Sequence, residues 1–446
     1  MNPLNSAELS RREFVQAATA AGAGWMLGAS ALAQDAAPAA KADELKIALI
    51  GAGVQGRGSL LNDCLKIPGI RFVAVCDIWP YAQTYAANIL KKYDQPVKTY
   101  ADYQEMLAQE KSLDAVLIAT PDWVHSEQTV ACLKAGKHVY CEKEMSNTVD
   151  GARAMVKAAQ ETGKLLQIGH QRRSNPRYWH ALKLIDNDKV CGRITHINGQ
   201  WNRGKRYDIG WPKGKELSAE ALKKYGYDTM ERFANWRWYK QYSGGPMADL
   251  GSHQVDVYSW FLKSNPRAVL ASGGADYYTD REWYDNVLSI YEYEIGGHVV
   301  RAFYQVINTS SHGGFYECFM GDQGSLVVSE DQRKAMMFRE PDAKRREWED
   351  ESEKIENMDR EAITLKIGQT LDPSGQPTAE GQKLLEQSKK PEHQLHLENF
   401  FAAIRTGSPL SCPAEVGFET CVTVLKANEA VAAGQRVAFD PAEFKV

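Results

Sequence analysis

The sequence predicts an α/β protein in two parts, a doubly wound parallel sheet followed by an α+β domain whose sheet is open and mostly antiparallel. Three observations carry this. Between about residues 44 and 168, short β-rich apolar runs alternate with helical stretches, the pattern of a parallel sheet. A glycine-rich turn, Gly51-Ala52-Gly53-Val54-Gln55-Gly56, follows directly on the first run and opens a helix. From Gly169 onward the runs lengthen and alternate in polarity, as strands with one open face do.

In the first part, strands are expected at 45–50, 72–76, 114–119, 138–141 and 165–168, with a weaker one near 97–100. Helices fall between them at about 55–66, 79–92, 102–109, 124–135 and 148–162. In the second part (169–446), a helix near 246–263 precedes runs at 267–275, 284–294, 298–307, 314–320 and 324–329. The polar stretch 340–392 reads as a surface excursion, and helices resume at 393–405 and 413–433.

The chain has 446 residues, 43% of them hydrophobic and 25% charged, enough for two cores. A net charge of -4 supplies no basic field, which excludes nucleic acid and points to a small-molecule partner. The eight cysteines lack CxxC spacing, and Cys76, Cys132 and Cys141 sit in apolar runs, so no metal site is expected.

The N-terminus differs in composition. Ser10-Arg11-Arg12-Glu13-Phe14-Val15-Gln16 precedes an Ala/Gly-rich run and the small-x-small site Ala31-Leu32-Ala33. This pattern resembles a twin-arginine signal peptide over 1–34, with Gln16 where Lys is common, followed by a linker over 35–43. Gly22, Gly24, Gly28 and Ser30 dilute the apolar run, so no stable membrane anchor is expected. Export, to the periplasm or elsewhere outside the cytoplasm, through a pathway that carries folded proteins would allow a cofactor to travel already bound.

The glycine turn has the strand–turn–helix context of a Rossmann dinucleotide site. Gly51 permits the tight turn, Gly53 lets backbone approach a diphosphate, and Gly56 lets helix and strand pack, while the helix start attracts the anion. Asp77, about twenty residues on, suits the ribose hydroxyls and repels a 2′-phosphate, which favours NAD over NADP. Arg57 either offsets that repulsion or contacts the diphosphate, leaving NADP open. Thr120-Pro121-Asp122 should lie near the nicotinamide half.

Glu142-Lys143 ends the strand at 138–141, on the carboxyl edge where open α/β sheets bind ligands. On the later helix, Asp249, His253 and Asp256 fall at i, i+4 and i+7, one stripe of titratable groups that is costly to bury without purpose. Histidine suits the hydroxyl proton released when a carbinol loses hydride, with a nearby carboxylate orienting the ring. The plain alternative is that Asp249 caps the helix and His253 is a satisfied helix histidine. A metal site lacks a third soft ligand.

These motifs, with Ala119 to His125, Ala135-Gly136-Lys137-His138-Val139 and Gly169-His170-Gln171-Arg172-Arg173, resemble the Gfo/Idh/MocA family over nearly the whole chain after the leader. The resemblance implies a Rossmann domain followed by an open-sheet domain, a tightly held nicotinamide cofactor, and oxidation or reduction of sugars or cyclitols. It implies Lys143, Asp249 and His253 as catalytic residues. The cofactor contacts expected are Gly51, Gly53, Val54, Gln55, Gly56, Arg57, Asp77, Thr120, Pro121, His125, Glu142 and Lys143. The family usually has proline after Glu-Lys, where this chain has Glu144; that loses easy access to a cis peptide, and the added carboxylate would act on Lys143.

Trp201, Trp236 and Trp238, with Asp256, Arg172 and Arg173, are the candidate substrate contacts: flat rings stack on sugar faces, or simply pack a core, and the arginines bind hydroxyls or form scaffold ion pairs. The leading function is a nicotinamide-dependent sugar oxidoreductase. The alternatives are an NAD-dependent glycosidase working by transient oxidation and elimination, and a non-catalytic sugar or nucleotide sensor. The region of Leu288, Ile290 and Tyr291–Tyr293 suits a subunit interface, giving a homodimer or homotetramer.

Overall fold

The computed structural model describes residues 44–350, 352–357, 360–365 and 378–446. The expected leader and linker lie outside the described residues, and Leu45–Val446 forms one compact unit.

The first sheet has six parallel strands: β1 (Leu45–Ile50), β2 (Ile70–Cys76), β3 (Lys98–Tyr100), β4 (Ala115–Ile118), β5 (His138–Cys141) and β6 (Leu166–Ile168), in the order β3-β2-β1-β4-β5-β6. Between β1 and β4 the order reverses direction, which opens a crevice at the carboxyl ends of these strands. Both are buried on both faces, as a central parallel strand requires, and so read as continuous apolar runs. Helix Val149–Thr162 starts where the Thr148 hydroxyl accepts the Gly151 N–H and stops at Gly163, whose φ of +63° is a left-handed cap.

The second sheet has ten strands. They are β7 (Ile194–Asn202), β8 (Ala268–Gly274), β9 (Asn286–Ile295), β10 (His298–Ile307), β11 (Phe315–Gly321), β12 (Gly324–Val328), β13 (Met336–Arg339), β14 (Lys354–Asn357), β15 (Arg360–Thr364) and β16 (Val437–Ala438). Their order is β14-β15-β13-β12-β11-β7-β10-β9-β8-β16. Among the described residues of this sheet, only β7 and β10 pair in parallel. One face packs on helices Ser252–Leu262 and Ala414–Ala433: Tyr293 meets the Ser259 hydroxyl at 3.2 Å, and Tyr291 donates to the Thr423 carbonyl. Leu270, Leu288 and Ile290 stand on the other face, exposed.

Three sequence expectations change here. Tyr291 and Tyr293 belong to the buried face, because alternation along β9 turns them away from Leu288 and Ile290. The stretch 340–392 carries strands β14 and β15 and helix Ala379–Ser388 within its described residues, so the sheet continues into it. Helix 246–263 is two pieces, a wide π-turn over Met247–Gly251 and an α-helix over Ser252–Leu262.

Candidate active site

One cleft of about 1120 Å³ runs from the glycine turn to the second sheet. At its nucleotide end, β1 delivers the chain into Gly51, whose φ of +88° suits glycine and where an added Cβ would lie 2.7 Å from the Ala119 backbone. Gly56 packs at the back of the turn; a Cβ there would stand 1.9 Å from the Gly51 carbonyl oxygen, so its part is to close the turn. Gly53 faces open space, with nothing within 4 Å of a Cβ. Val54 beside it is 70% exposed and lines the cleft with Gln55.

Asp77 follows β2 and accepts the N–H groups of Ala52, at 2.7 Å, and Trp79, at 2.8 Å. Burial pushes its carboxyl up to about 6 against the pull of those two N–H groups and of Arg57. Arg57 stacks over Tyr85 and donates to the Ala52 carbonyl. The open face above Gly53 and the carboxylate anchored to the turn fit a dinucleotide's diphosphate and ribose.

At the other end, Thr120 and Pro121 leave β4, and Glu142 and Lys143 leave β5. The Glu142 carboxylate accepts from Gln55, whose side-chain nitrogen also lies 3.0 Å from the His393 ring. The Lys143 ammonium donates to the backbone carbonyl of Asp249. The Lys143–Glu144 bond is cis without proline. The Glu144 carboxyl is fully buried, its Oε1 accepting from Met145; burial pushes it up to about 8 against the pull of the Met145 N–H and of Lys143.

Asp249 and His253 also line the cleft, but the carboxylate does not orient the imidazole. It faces Arg237 at 2.8 Å, Arg203 at 3.3 Å and Arg206 at 3.7 Å. Burial opposes its ionisation, yet Arg237, Lys143, Arg203 and Arg206 together hold it well below the usual carboxylate range. His253 packs against Trp201, ring centroids 5.4 Å apart, and its Nδ1 is buried without a hydrogen-bond partner. Burial first, then Lys143 and Arg172, keep it neutral.

Five expected contacts lie elsewhere. His125 is buried, its ring nitrogens each 2.7 Å from a backbone carbonyl, those of Glu144 and Thr120, so it ties two cleft loops together from behind. Asp256 is buried and bound by Arg173 through two nitrogens and by the Thr420 hydroxyl. The π-turn below it adds residues per turn, so α-helical spacing counted from Asp249 misplaces it. Arg173 is thereby consumed, stacked also on Trp260. Arg172 is buried between Glu317 and Glu330. Trp238 sits in an aromatic core with Tyr239 and Tyr242, while Trp236 and Trp201 do line the cleft. The sequence reading missed Arg203, Arg206 and Arg237; the basic run Arg203-Gly204-Lys205-Arg206 directly after β7 was the available signal.

Fold and cleft together define a two-sheet protein of the dinucleotide-binding class. The family profile described as "Oxidoreductase family, NAD-binding Rossmann fold" matches residues 45–170, and "Oxidoreductase family, C-terminal alpha/beta domain" matches residues 220–439. The chain belongs to the Gfo/Idh/MocA oxidoreductase family.

Among similar curated proteins, 4-carboxy-2-hydroxymuconate-6-semialdehyde dehydrogenase of Sphingobium sp. is 36% identical over 152 residues, 34% of this chain and 45% of that protein. Inositol 2-dehydrogenase of Salmonella paratyphi B is 32% identical over 157 residues, 35% of this chain and 45% of that protein. The match therefore spans about half the length of these relatives. The fold is shared with the WlbA dehydrogenase of Chromobacterium violaceum, solved with NADH and UDP-GlcNAcA (TM-score 0.65, 20% identity, 91% of this chain and 98% of that one). It is shared also with aldose-aldose oxidoreductase of Caulobacter crescentus (TM-score 0.64, 18% identity, 89% of this chain and 100% of that one).

Proposed function

We propose that this protein passes hydride between a nicotinamide cofactor, NAD by preference, and a hydroxyl or carbonyl carbon of a sugar or cyclitol. The observation that carries the reading is the continuous cleft joining the Gly51–Gly56 turn and Asp77 to Lys143 and His253. When bound, the cofactor supplies or accepts the hydride. Gly53 and the helix start receive its diphosphate, and the Asp77 carboxylate accepts ribose hydroxyls and disfavours a 2′-phosphate.

Lys143 donates to the reacting oxygen from the carboxyl edge of β5 while tethered to the Asp249 carbonyl. His253, held neutral, accepts the hydroxyl proton during oxidation and returns it during reduction. Trp201 and Trp236 offer flat faces to a ring. The Ser10-Arg11-Arg12 leader supports export through the twin-arginine route, and the exposed Leu270, Leu288 and Ile290 face supports assembly of like subunits.

The test is to denature the purified chain, identify released nucleotide by mass spectrometry, and follow absorbance near 340 nm while sugars are added. Bound NAD(H) reduced by one sugar and reoxidised by another supports the reading. Glycoside cleavage without net redox change would replace it with the redox glycosidase, and inert protein holding nucleotide would replace it with a sensor.

A further inference from the structure

We infer that the substrate carries an anionic group, a carboxylate or a phosphate, which Arg203, Arg206 and Arg237 receive beside the reacting carbon. The inference rests on the oxidoreductase reading and narrows its substrate to acidic sugars.

The arginines at this end of the cleft outnumber the carboxylate they pair with. Three guanidiniums share the single Asp249 carboxylate, at 2.8, 3.3 and 3.7 Å, and the Lys143 ammonium adds a fourth cation on the carbonyl of the same residue. Among the described residues no other carboxylate forms an ion pair with the three arginines. Other nearby acids lie beyond ion-pair distance of the three arginines: Asp208 pairs with Arg281, Glu142 accepts from Gln55, and Asp122 accepts from Ser243 and Gly244. Burial first, and then the neighbouring Arg203 and Arg237, lower the Arg206 guanidinium to about 10 against the pull of Asp249 and Asp208.

Nor are these loosely solvated surface cations. Arg237 lies over the Trp236 ring at 4.2 Å, Arg206 over Trp238 at 5.5 Å, and Arg203 donates to the Asn308 side chain at 2.6 Å. The side chains are 20–31% exposed and line the same cleft as Lys143 and His253. A neutral sugar offers such a cluster only dipoles. A carboxylate or phosphate oxyanion fits the planar fork of arginine and neutralises the surplus charge.

The test compares neutral hexoses with hexuronates and hexose phosphates on the full chain, by kcat/KM from nicotinamide absorbance and, independently, by calorimetric binding. The expected result is at least about a tenfold preference for one acidic class, weakened by salt and reduced about tenfold to a hundredfold in Arg206→Gln or Arg237→Gln, as loss of a charged hydrogen bond implies. Uronates winning assigns a carboxylate, and phosphates winning a phosphate. Turnover of neutral sugars with no acid preference overturns this inference and leaves the oxidoreductase reading standing. Absence of any redox change sinks that reading; calorimetry then decides this one alone, since acid binding that these variants weaken supports it and no acid binding overturns it.

Discussion

Lys143, leaving the fifth strand of the parallel sheet, donates its ammonium to the backbone carbonyl of Asp249 at the start of the helix beneath the antiparallel sheet. That bond joins residues 106 positions apart across this end of the cleft. Replacing Lys143 by Met should lower kcat/KM about 10²- to 10³-fold, the usual cost of removing one hydrogen-bond donor aimed at the reacting oxygen. Nucleotide recovered from the denatured variant should be unchanged, and a proportional loss of nucleotide would contradict the role.

Gly53 and Gly56 should separate binding from folding. Gly56→Ala forces a Cβ against the Gly51 carbonyl, so its Tm should fall by several degrees and bound nucleotide should disappear. Gly53→Ala meets nothing in the protein, so its Tm without nucleotide should hold while nucleotide affinity drops. Equal melting losses in both variants would refute this division.

If Asp77 holds the ribose as proposed, cofactor affinity should depend on pH. Its carboxyl is raised to about 6, so acidification below that value protonates the proposed acceptor of the ribose hydroxyls. NAD affinity measured by fluorescence titration should weaken as pH falls from 8 to 5, with a midpoint near 6, and Asp77→Asn should flatten the profile.

Glu144 costs stability at neutral pH. Its folded value of about 8 exceeds the ordinary 4.5, so its contribution is fully present below about 4.5 and is lost as pH rises through about 8. Over that window the loss is on the order of a few kcal/mol. Glu144→Gln should therefore melt several degrees higher than the parent at pH 8 and nearly equal to it at pH 4.5, as followed by calorimetry. An equal difference at both pH values would show that packing, not charge, governs the site.

The parallel sheet was legible because its central strands are buried on both faces and its turns carry glycine for steric reasons that a sequence displays. Strand β7 was not. Its sequence, with Thr195, His196, Asn198, Gly199 and Gln200, lacks an apolar run, and Gly199 leaves room for the Tyr258 hydroxyl, which would stand 2.0 Å from a Cβ. Hidden with that strand was the position of Arg203 and Arg206, which meet Arg237 only because the sheet and a short turn bring them together. Neighbouring residues could not be told apart either: Trp236 faces the cleft and Trp238 the core, two places along one 3₁₀ turn. Arg172 and Arg173 read as ligands because their partners Glu317, Glu330 and Asp256 are remote in sequence.

Helix Glu392–Thr406 places Leu397, Phe400 and Phe401 in the same core as Ile47, Leu49 and Phe72, and His396 bonds back to the carbonyl of Ile168. During synthesis, the nucleotide-binding half emerges first but stays open along that flank until the ribosome has released nearly the whole chain. The nucleotide-binding core therefore matures late, and a chain interrupted before residue 392 leaves a greasy groove where Phe400 and Phe401 should be.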